Sequence, residues 1–575
     1  MKTLYILALV LVCTVNVSVH AQLSLSWPPD HSVFQRDGND QASIIVAGQY
    51  LGIDPCNSSI SEIRYKINRL NKYGNVESVY QNWTSLAGGG FYGKFQLGSS
   101  LTAGWYLIEV QVFENGILAQ SGSLKTGVGD VYIIAGQSNA QSITTSNIPS
   151  NPPYDCVVTN PYQAACDYVS GSTPFPRYPY FSPLGINQPI APTGYNNWCY
   201  TVLGNLLVDN NNVPVSFFNA AYGSTDIKSW WDSSNGIPVT SVPYIGHPCS
   251  PLGVPNNSGL PYVKLKQCLN FYASIFGVKS VLWHQGESDN LTGTNQSTYY
   301  NQLTSIINKS RSDFNNNSSL SWMVSAPATY NVGLTSTAIA AAQFQATSFL
   351  NCNLGPNTDQ FGSTFRPNDN VHFEGTGLTA LGNEWKTKLP SGNNIAPNPF
   401  PQGLYLLNNN DGSYTVFAPS GYTEYVWSPG NLSDGNSTGG NESYTSYAGQ
   451  SIRCYMRNGN NWVVSETVYL PACSDGGFRK SAKSEENIIP LKFTIYPNPA
   501  EEVVTVEFTL SERSQTQLDL LDNSGRVVKT IAEGEYSMEK FSHSENIKSL
   551  PDGVYFLRLK ANNIFMSKKF LKRSK

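Results

Sequence analysis

Charge is what this chain has least of. Lysine, arginine, aspartate and glutamate make up 13% of its 575 residues, against about 25% in an ordinary soluble domain. The net charge is −4, so the overall balance points to neither nucleic acid nor an anionic membrane as a partner. Histidine is scarce, with 6 residues in all, which makes each one informative. Beyond the first residues no stretch has the roughly 20 continuous apolar positions of a membrane helix, and no transmembrane segment is expected. CxxC pairs are missing, and the Cys and His spacings do not suggest a zinc site. No metal or organic cofactor is expected.

Asn, Ser, Gly and Tyr are plentiful instead, a composition that suits a folded extracellular protein. The opening residues agree. Lys2 precedes the apolar run from Leu4 to Val12, and Val19-His20-Ala21 offers a small-residue cleavage site. Residues 1–21 therefore read as a secretory signal peptide. Val12 rather than Gly or Ala precedes Cys13, which speaks against a lipoprotein anchor. Ten cysteines include Cys13, so an odd number remains after cleavage and at least one stays without an intrachain partner. Cys156 with Cys166, and Cys454 with Cys473, are plausible local pairs in an exported chain.

A chain of this length needs several cores. Residues 22–126 read as a β-sandwich module, with alternating runs at Ala42 to Ala47 and Trp105 to Phe113 between Gly, Asn and Pro turns. The pattern then changes. Val131 to Ala135 is a short, continuously apolar run, as in a strand buried on both faces. Similar runs recur at Val213 to Ala221, Val278 to Trp283 and Leu320 to Ala326. Helix-length stretches lie at Tyr262 to Phe276, Ser297 to Phe314, Thr337 to Leu350 and Gly377 to Leu389. Alternating strands and helices predict a parallel sheet over residues 127–393. Residues 397–473 return to short strands and suggest an immunoglobulin-like module. A linker at 474–490 and a last β module at 491–575 follow.

Four polar clusters stand at the ends of the buried runs, where a parallel sheet gathers its reactive groups. Ser138 lies in Ala135-Gly136-Gln137-Ser138-Asn139-Ala140. It can be a nucleophile or merely a helix N-cap. Ala220-Ala221-Tyr222-Gly223-Ser224-Thr225 lets Gly223 offer its N–H to an oxyanion, or forms an ordinary turn. In Trp283-His284-Gln285-Gly286-Glu287-Ser288-Asp289, Gln285 can donate to an oxyanion and Glu287 can orient its neighbours. In Asp369-Asn370-Val371-His372, the carboxylate can turn back onto Nδ1 of His372 and leave Nε2 free to take a serine proton. A surface Asp that caps its own turn is the plain alternative. Trp230 and Trp231, with Tyr222, are candidates for stacking against a sugar ring.

Taken together, the GQSN, Gly-Ser, WHQGE and DxxH blocks resemble the SGNH hydrolases, and among them the sialate O-acetylesterase-like carbohydrate esterases. The resemblance spans about residues 127–390. It implies a central α/β three-layer, flavodoxin-like parallel-sheet domain flanked by β-sandwich modules. It also implies Ser138 as nucleophile, His372 as base and Asp369 as its orienting acid. The Ser138 and Gly223 N–H groups and the Gln285 side chain would form the oxyanion hole, with Glu287 in support. Tyr222 departs from the second Gly that the family often has before Gly223. The GxSxG elbow of the α/β-hydrolases fits less well, since Ala140 fills its last place. An acetylated carbohydrate is the substrate implied; sialic acid esters, acetylated xylan and pectin are all compatible with it.

The last module resembles the C-terminal sorting domain of the type IX secretion system of Bacteroidetes. The matching pieces are Tyr496-Pro497-Asn498-Pro499-Ala500, Asn523-Ser524-Gly525-Arg526-Val527-Val528, Leu550 to Leu559 and the basic Lys568-Lys569-Phe570. The type IX machinery is thus an implied partner, and the location is outside the cell or on its surface. The rival of another class is a non-catalytic carbohydrate-binding surface protein or adhesin, which would not require a complete Ser, His and Asp set.

Overall fold

The computed structural model describes residues 22–574, apart from 53–59, 87–90, 144–147, 150–152, 162–177, 240–258, 390–391, 402, 410, 430–437, 472–491, 510–513, 523–526, 537–539 and 562–563. The expected signal peptide and the 474–490 linker lie outside the described residues. So do Cys166 and Cys473, and with them the two suggested cysteine pairs. Residues 1–474 and 475–575 form two separate compact units.

The first unit is organised by one long strand, Ile117–Gly136. Its first part pairs antiparallel with Gly104–Glu114, from Glu114 opposite Ile117 to Gly104 opposite Val128. Its last part is buried continuously and pairs in parallel with Val215–Asn219 on one side and with Ser280–His284 on the other. Val157–Thr159 extends the first side. Trp322–Val324 and then Cys352–Leu354 extend the second, all in parallel. A continuous apolar run is what a strand needs when both of its faces are covered. Where the strand changes partners, the fully buried Asp130 carboxylate receives Arg36 Nε at 2.8 Å and Lys279 Nζ at 3.0 Å, so the buried charge is not left alone.

This arrangement corrects the expected fold class. Among the described residues no separate three-layer flavodoxin-like domain stands between independent sandwiches. The described chain is dominated by strand, at 43% against 21% helix. The parallel strands are part of an 11-stranded mixed sheet that includes Gly104–Glu114, Ile60–Leu70 and Val76–Leu86. The physical reason is the strand Ile117–Gly136 itself. Its backbone runs unbroken through the boundary expected at residue 126, with an outer half that is mostly exposed or part-buried and an inner half that is buried throughout.

The rest of the unit packs onto this sheet. Gln22–Trp27, Gln41–Leu51 and Lys94–Thr102 make a three-stranded sheet. Residues 405–469 supply a three-stranded and a five-stranded sheet. Gln49 exchanges two hydrogen bonds with the Tyr469 backbone, at 3.0 and 2.7 Å, and Trp27 stacks on Phe400. The second unit has sheets of three and four strands around Val504, Val506, Phe508, Leu518, Leu557, Leu559 and Phe570. Among the described residues no helix is long and apolar enough to cross a membrane.

Candidate active site

Ser138 opens the short helix Ser138–Gln141, directly after the long central strand. Gly136 makes that junction possible. Its φ is +127°, and a Cβ there would run into the carbonyl oxygen of His284 on the neighbouring strand. Buried side chains take up the carbonyls of the short helix. Trp198 Nε1 donates to Asn139 O at 2.9 Å, and Tyr200 Oη donates to Ala140 O at 2.9 Å. Asn219 Nδ2 donates to Ala140 O at 3.1 Å and Gln141 O at 3.3 Å. Ser138 is 8% exposed.

The Asp369–His372 loop comes to Ser138 from far along the chain. His372 Nε2 lies 2.8 Å from Ser138 Oγ. His372 Nδ1 lies 2.5 Å from Asp369 Oδ2. The other Asp369 oxygen accepts the backbone N–H groups of Val371 and His372, both at 2.8 Å. Asn370, at φ +57°, supplies the reversal that turns the carboxylate back. Partial burial works against ionisation of Asp369. The hydrogen bonds from His372 and Val371 outweigh it and hold the carboxyl below its ordinary range. Arg366, which lies outside all four motifs, braces the loop. Its Nε donates to Val371 O at 3.0 Å, and its guanidinium lies over the Phe373 ring at 3.9 Å.

The expected oxyanion donors fare differently. The Ser138 N–H is in the first turn of a helix, where the backbone cannot satisfy it internally. Gly223 lies beside the serine, since a Cβ on it would be 3.6 Å from Ser138 Cβ. Its N–H donates at 2.6 Å to the side-chain oxygen of Gln141. Gln285 is tied to Gln137, the residue before the serine. Its amide nitrogen donates to Gln137 Oε1, Thr225 O and Asp289 Oδ2, and its oxygen accepts from Tyr299 Oη. It is fully buried and these hydrogen bonds all lie within that network.

Glu287 and Asp289 are buried as well. Glu287 Oε1 accepts from Asn139 Nδ2 at 2.8 Å and lies 3.2 Å from His284 Nε2. Burial alone would raise its pKa, but His284 and Asn139 shift it below the ordinary value. For Asp289 burial prevails and pushes the pKa up to about 6, against donors from Gln285, Thr294 and the Ile227 backbone.

The aromatic candidates need correction too. Trp230 is completely buried. Its Nε1 donates to Thr225 Oγ1 and its ring packs edge-on against Trp283. The helix Ile227–Ser234 turns that residue into the core, so it offers no sugar platform. Trp231 is half-buried. Tyr222 is 8% exposed, with its backbone N–H bound to Gly136 O.

Comparison with known proteins places two parts of the chain. Residues 128–389 match the family described as carbohydrate esterase, sialic acid-specific acetylesterase. Residues 494–573 match the secretion system C-terminal sorting domain. No curated protein sequence is a significant match. Among solved structures, a carbohydrate acetylesterase from Xanthomonas citri is 14% identical, over 79% of this chain and 100% of its own, with a TM-score of 0.35. A protein from Arabidopsis thaliana is 15% identical over 45% of this chain and 96% of its own, with a TM-score of 0.28. A Bacteroides uniformis β-glucuronidase is 8% identical over 97% and 80%, with a TM-score of 0.22. Scores this low say nothing about activity. The chain thus carries a carbohydrate-esterase domain of the sialic acid-specific acetylesterase family and a type IX sorting domain, and it is a secreted or cell-surface protein.

Proposed function

We propose, on the premise of that family membership, that the chain hydrolyses O-acetyl esters of carbohydrate by a serine acyl-enzyme mechanism. The observation that carries the reading is the chain of contacts from Ser138 Oγ to His372 Nε2 at 2.8 Å and from His372 Nδ1 to Asp369 Oδ2 at 2.5 Å. Ser138 attacks the acetyl carbonyl while His372 takes its proton, and Asp369 stabilises the imidazolium. The Ser138 and Gly223 N–H groups receive the oxyanion, Gly223 exchanging the Gln141 oxygen for that of the ester. One such donor contributes about 3 kcal/mol to a transition state. His372 then returns the proton to the departing sugar hydroxyl, and water releases acetate from Ser138 by the reverse sequence.

Residues 22–126 and 397–473 serve in this reading as accessory β modules around the esterase residues 127–393. The 474–490 linker is the place where the sorting module, 491–575, is removed after export.

Acetate release from O-acetylated sialic acid, xylan and pectin tests the reading and names the substrate. With p-nitrophenyl esters the rate should fall steeply from acetate to octanoate. Ser138→Ala and His372→Ala should each bring turnover near background in a folded protein. Rates on long acyl chains equal to those on acetate, or an active Ser138→Ala variant, would refute it.

A further inference from the structure

Ser138 and His372 are 234 positions apart in sequence, yet proton transfer needs their side chains within hydrogen-bond reach. The His372 loop is tied from its own side by Asp369 and Arg366, as described above. From the serine side it is tied by the residue next to the nucleophile. Asn139 is completely buried, and its amide reaches across to both neighbours of His372. Nδ2 donates to Val371 O at 3.1 Å, and Oδ1 accepts the Phe373 N–H at 3.2 Å. The second Nδ2 hydrogen goes to Glu287 Oε1 at 2.8 Å.

The Glu287 contact decides which way the amide faces. An ionised carboxylate accepts and cannot donate, so it selects the NH2 end of Asn139. The carbonyl end is then left for Phe373 N–H. Only a group with donors at one end and an acceptor at the other satisfies all three partners. Ser, Ala or Asp in its place would each break at least one of them, and Asp would also set a second carboxylate against Glu287.

We propose that Asn139 is a positioning residue whose amide, oriented by Glu287, holds both flanks of His372 and so sets the distance from the imidazole to Ser138. The proposal rests on the reading of Ser138 and His372 as nucleophile and base. Asn139 touches no reacting atom and acts on the rate through His372. A displacement of about 1 Å at a reacting group costs on the order of 10²-fold in rate, so Asn139→Ala should lower kcat by about that factor. KM should stay within about threefold, because the ground-state contacts to the ester are untouched.

The test is a double-mutant cycle on the full chain, with p-nitrophenyl acetate as substrate and circular dichroism as the check on folding. Wild type, Asn139→Ala, His372→Ala and the double variant are compared, with Ser138→Ala as an outer control. Asn139→Ser, which adds no charge beside Glu287, is read in the same way if Asn139→Ala does not fold. The expected result is a ~10²-fold fall in kcat in the wild-type background, and a change of less than about threefold when His372 is already absent. Equal losses in both backgrounds, or an Asn139→Ala variant as fast as wild type, would overturn the positioning role. If Ser138→Ala abolishes turnover while Asn139→Ala does not, this inference alone falls. If Ser138→Ala keeps its turnover, the reading beneath it falls first and takes this one with it.

Discussion

Three carboxylates stand in the motifs of the site, one on the Asp369–His372 loop and two in the first turn of the helix Glu287–Thr292, and the fold handles the two places in opposite ways. Asp369 keeps 44% of its side chain exposed. It has His372 on one oxygen and two backbone N–H groups of its own loop on the other. Glu287 and Asp289 are sealed in, at 1% and 0% exposure. Each has fixed donors from separate elements: Asn139 for Glu287, and Gln285, Thr294 and the Ile227 backbone for Asp289. A carboxylate with water nearby and one histidine partner can meet a positive charge that comes and goes during a reaction. Carboxylates in a dry network hold other groups in place, because any change in their charge is costly there. The comparison therefore supports the proposed role of Asp369 in proton transfer and favours a bracing role for the other two.

The most direct way to break this comparison is to neutralise each side in turn. Asp369→Asn should lower turnover by about 10²- to 10⁴-fold, as the loss of a triad acid does generally. Its melting temperature should fall only slightly, since an amide oxygen can still accept the Val371 and His372 N–H groups at this part-exposed site. Glu287→Gln should show the reverse balance. An amide can still accept from Asn139, so turnover should fall less than about tenfold, but His284 loses its buried partner. The stability loss should be on the order of 2–3 kcal/mol, read by thermal or denaturant unfolding. If Glu287→Gln abolishes turnover and Asp369→Asn preserves it, the two roles are interchanged.

The same contrast explains what could be read from sequence. DxxH needs only a local reversal to close on itself, so the contact between Asp369 and His372 is implicit in the spacing. Ser138 could be placed at a strand end because Val131 to Ala135 is apolar throughout. Side-chain direction was not available in this way. Gln285 and Trp230 occur in motifs rich in polar or aromatic groups, yet both point into the core, Gln285 because Gln137, Thr225, Asp289 and Tyr299 together satisfy it. Asn139 stood in plain view in GQSN, but its partners are up to 234 positions away, and no local pattern encodes them. Arg366 has near partners, the carbonyls of Thr358, Phe361 and Val371, but an arginine that binds backbone carbonyls belongs to no motif. The fold shows a parallel limit. Apolar runs marked the parallel strands, but the strand Ile117–Gly136 carries a mostly exposed or part-buried half and a buried half on one backbone. A change of pattern along a sequence therefore does not by itself separate one sheet from another.

The smallest expected effect concerns Asp289 and sharpens the comparison through pH. Burial pushes its carboxyl up to about 6 in the folded chain, above the ordinary aspartate value of roughly 3.9, because burial disfavours the charge more than its donors favour it. Between those values the native state keeps a proton that the unfolded chain has released. Stability contributed by this group therefore falls as pH rises through the window, and the loss is complete somewhat above pH 6. A shift of this size corresponds to roughly 2–3 kcal/mol. Asp289→Asn does not titrate and should lack this slope. It also places an NH2 group among donors, so it should be the less stable protein at pH 4.5. The gap in melting temperature between wild type and Asp289→Asn should then narrow by a few degrees between pH 4.5 and pH 7.5. Using the difference between the two proteins cancels the titration of every other group. A gap that stays constant would mean that Asp289 ionises in the fold as readily as in water. A gap that widens with pH would mean that its charge is stabilised there, and Asp289 would join Asp369 as a carboxylate available to the chemistry.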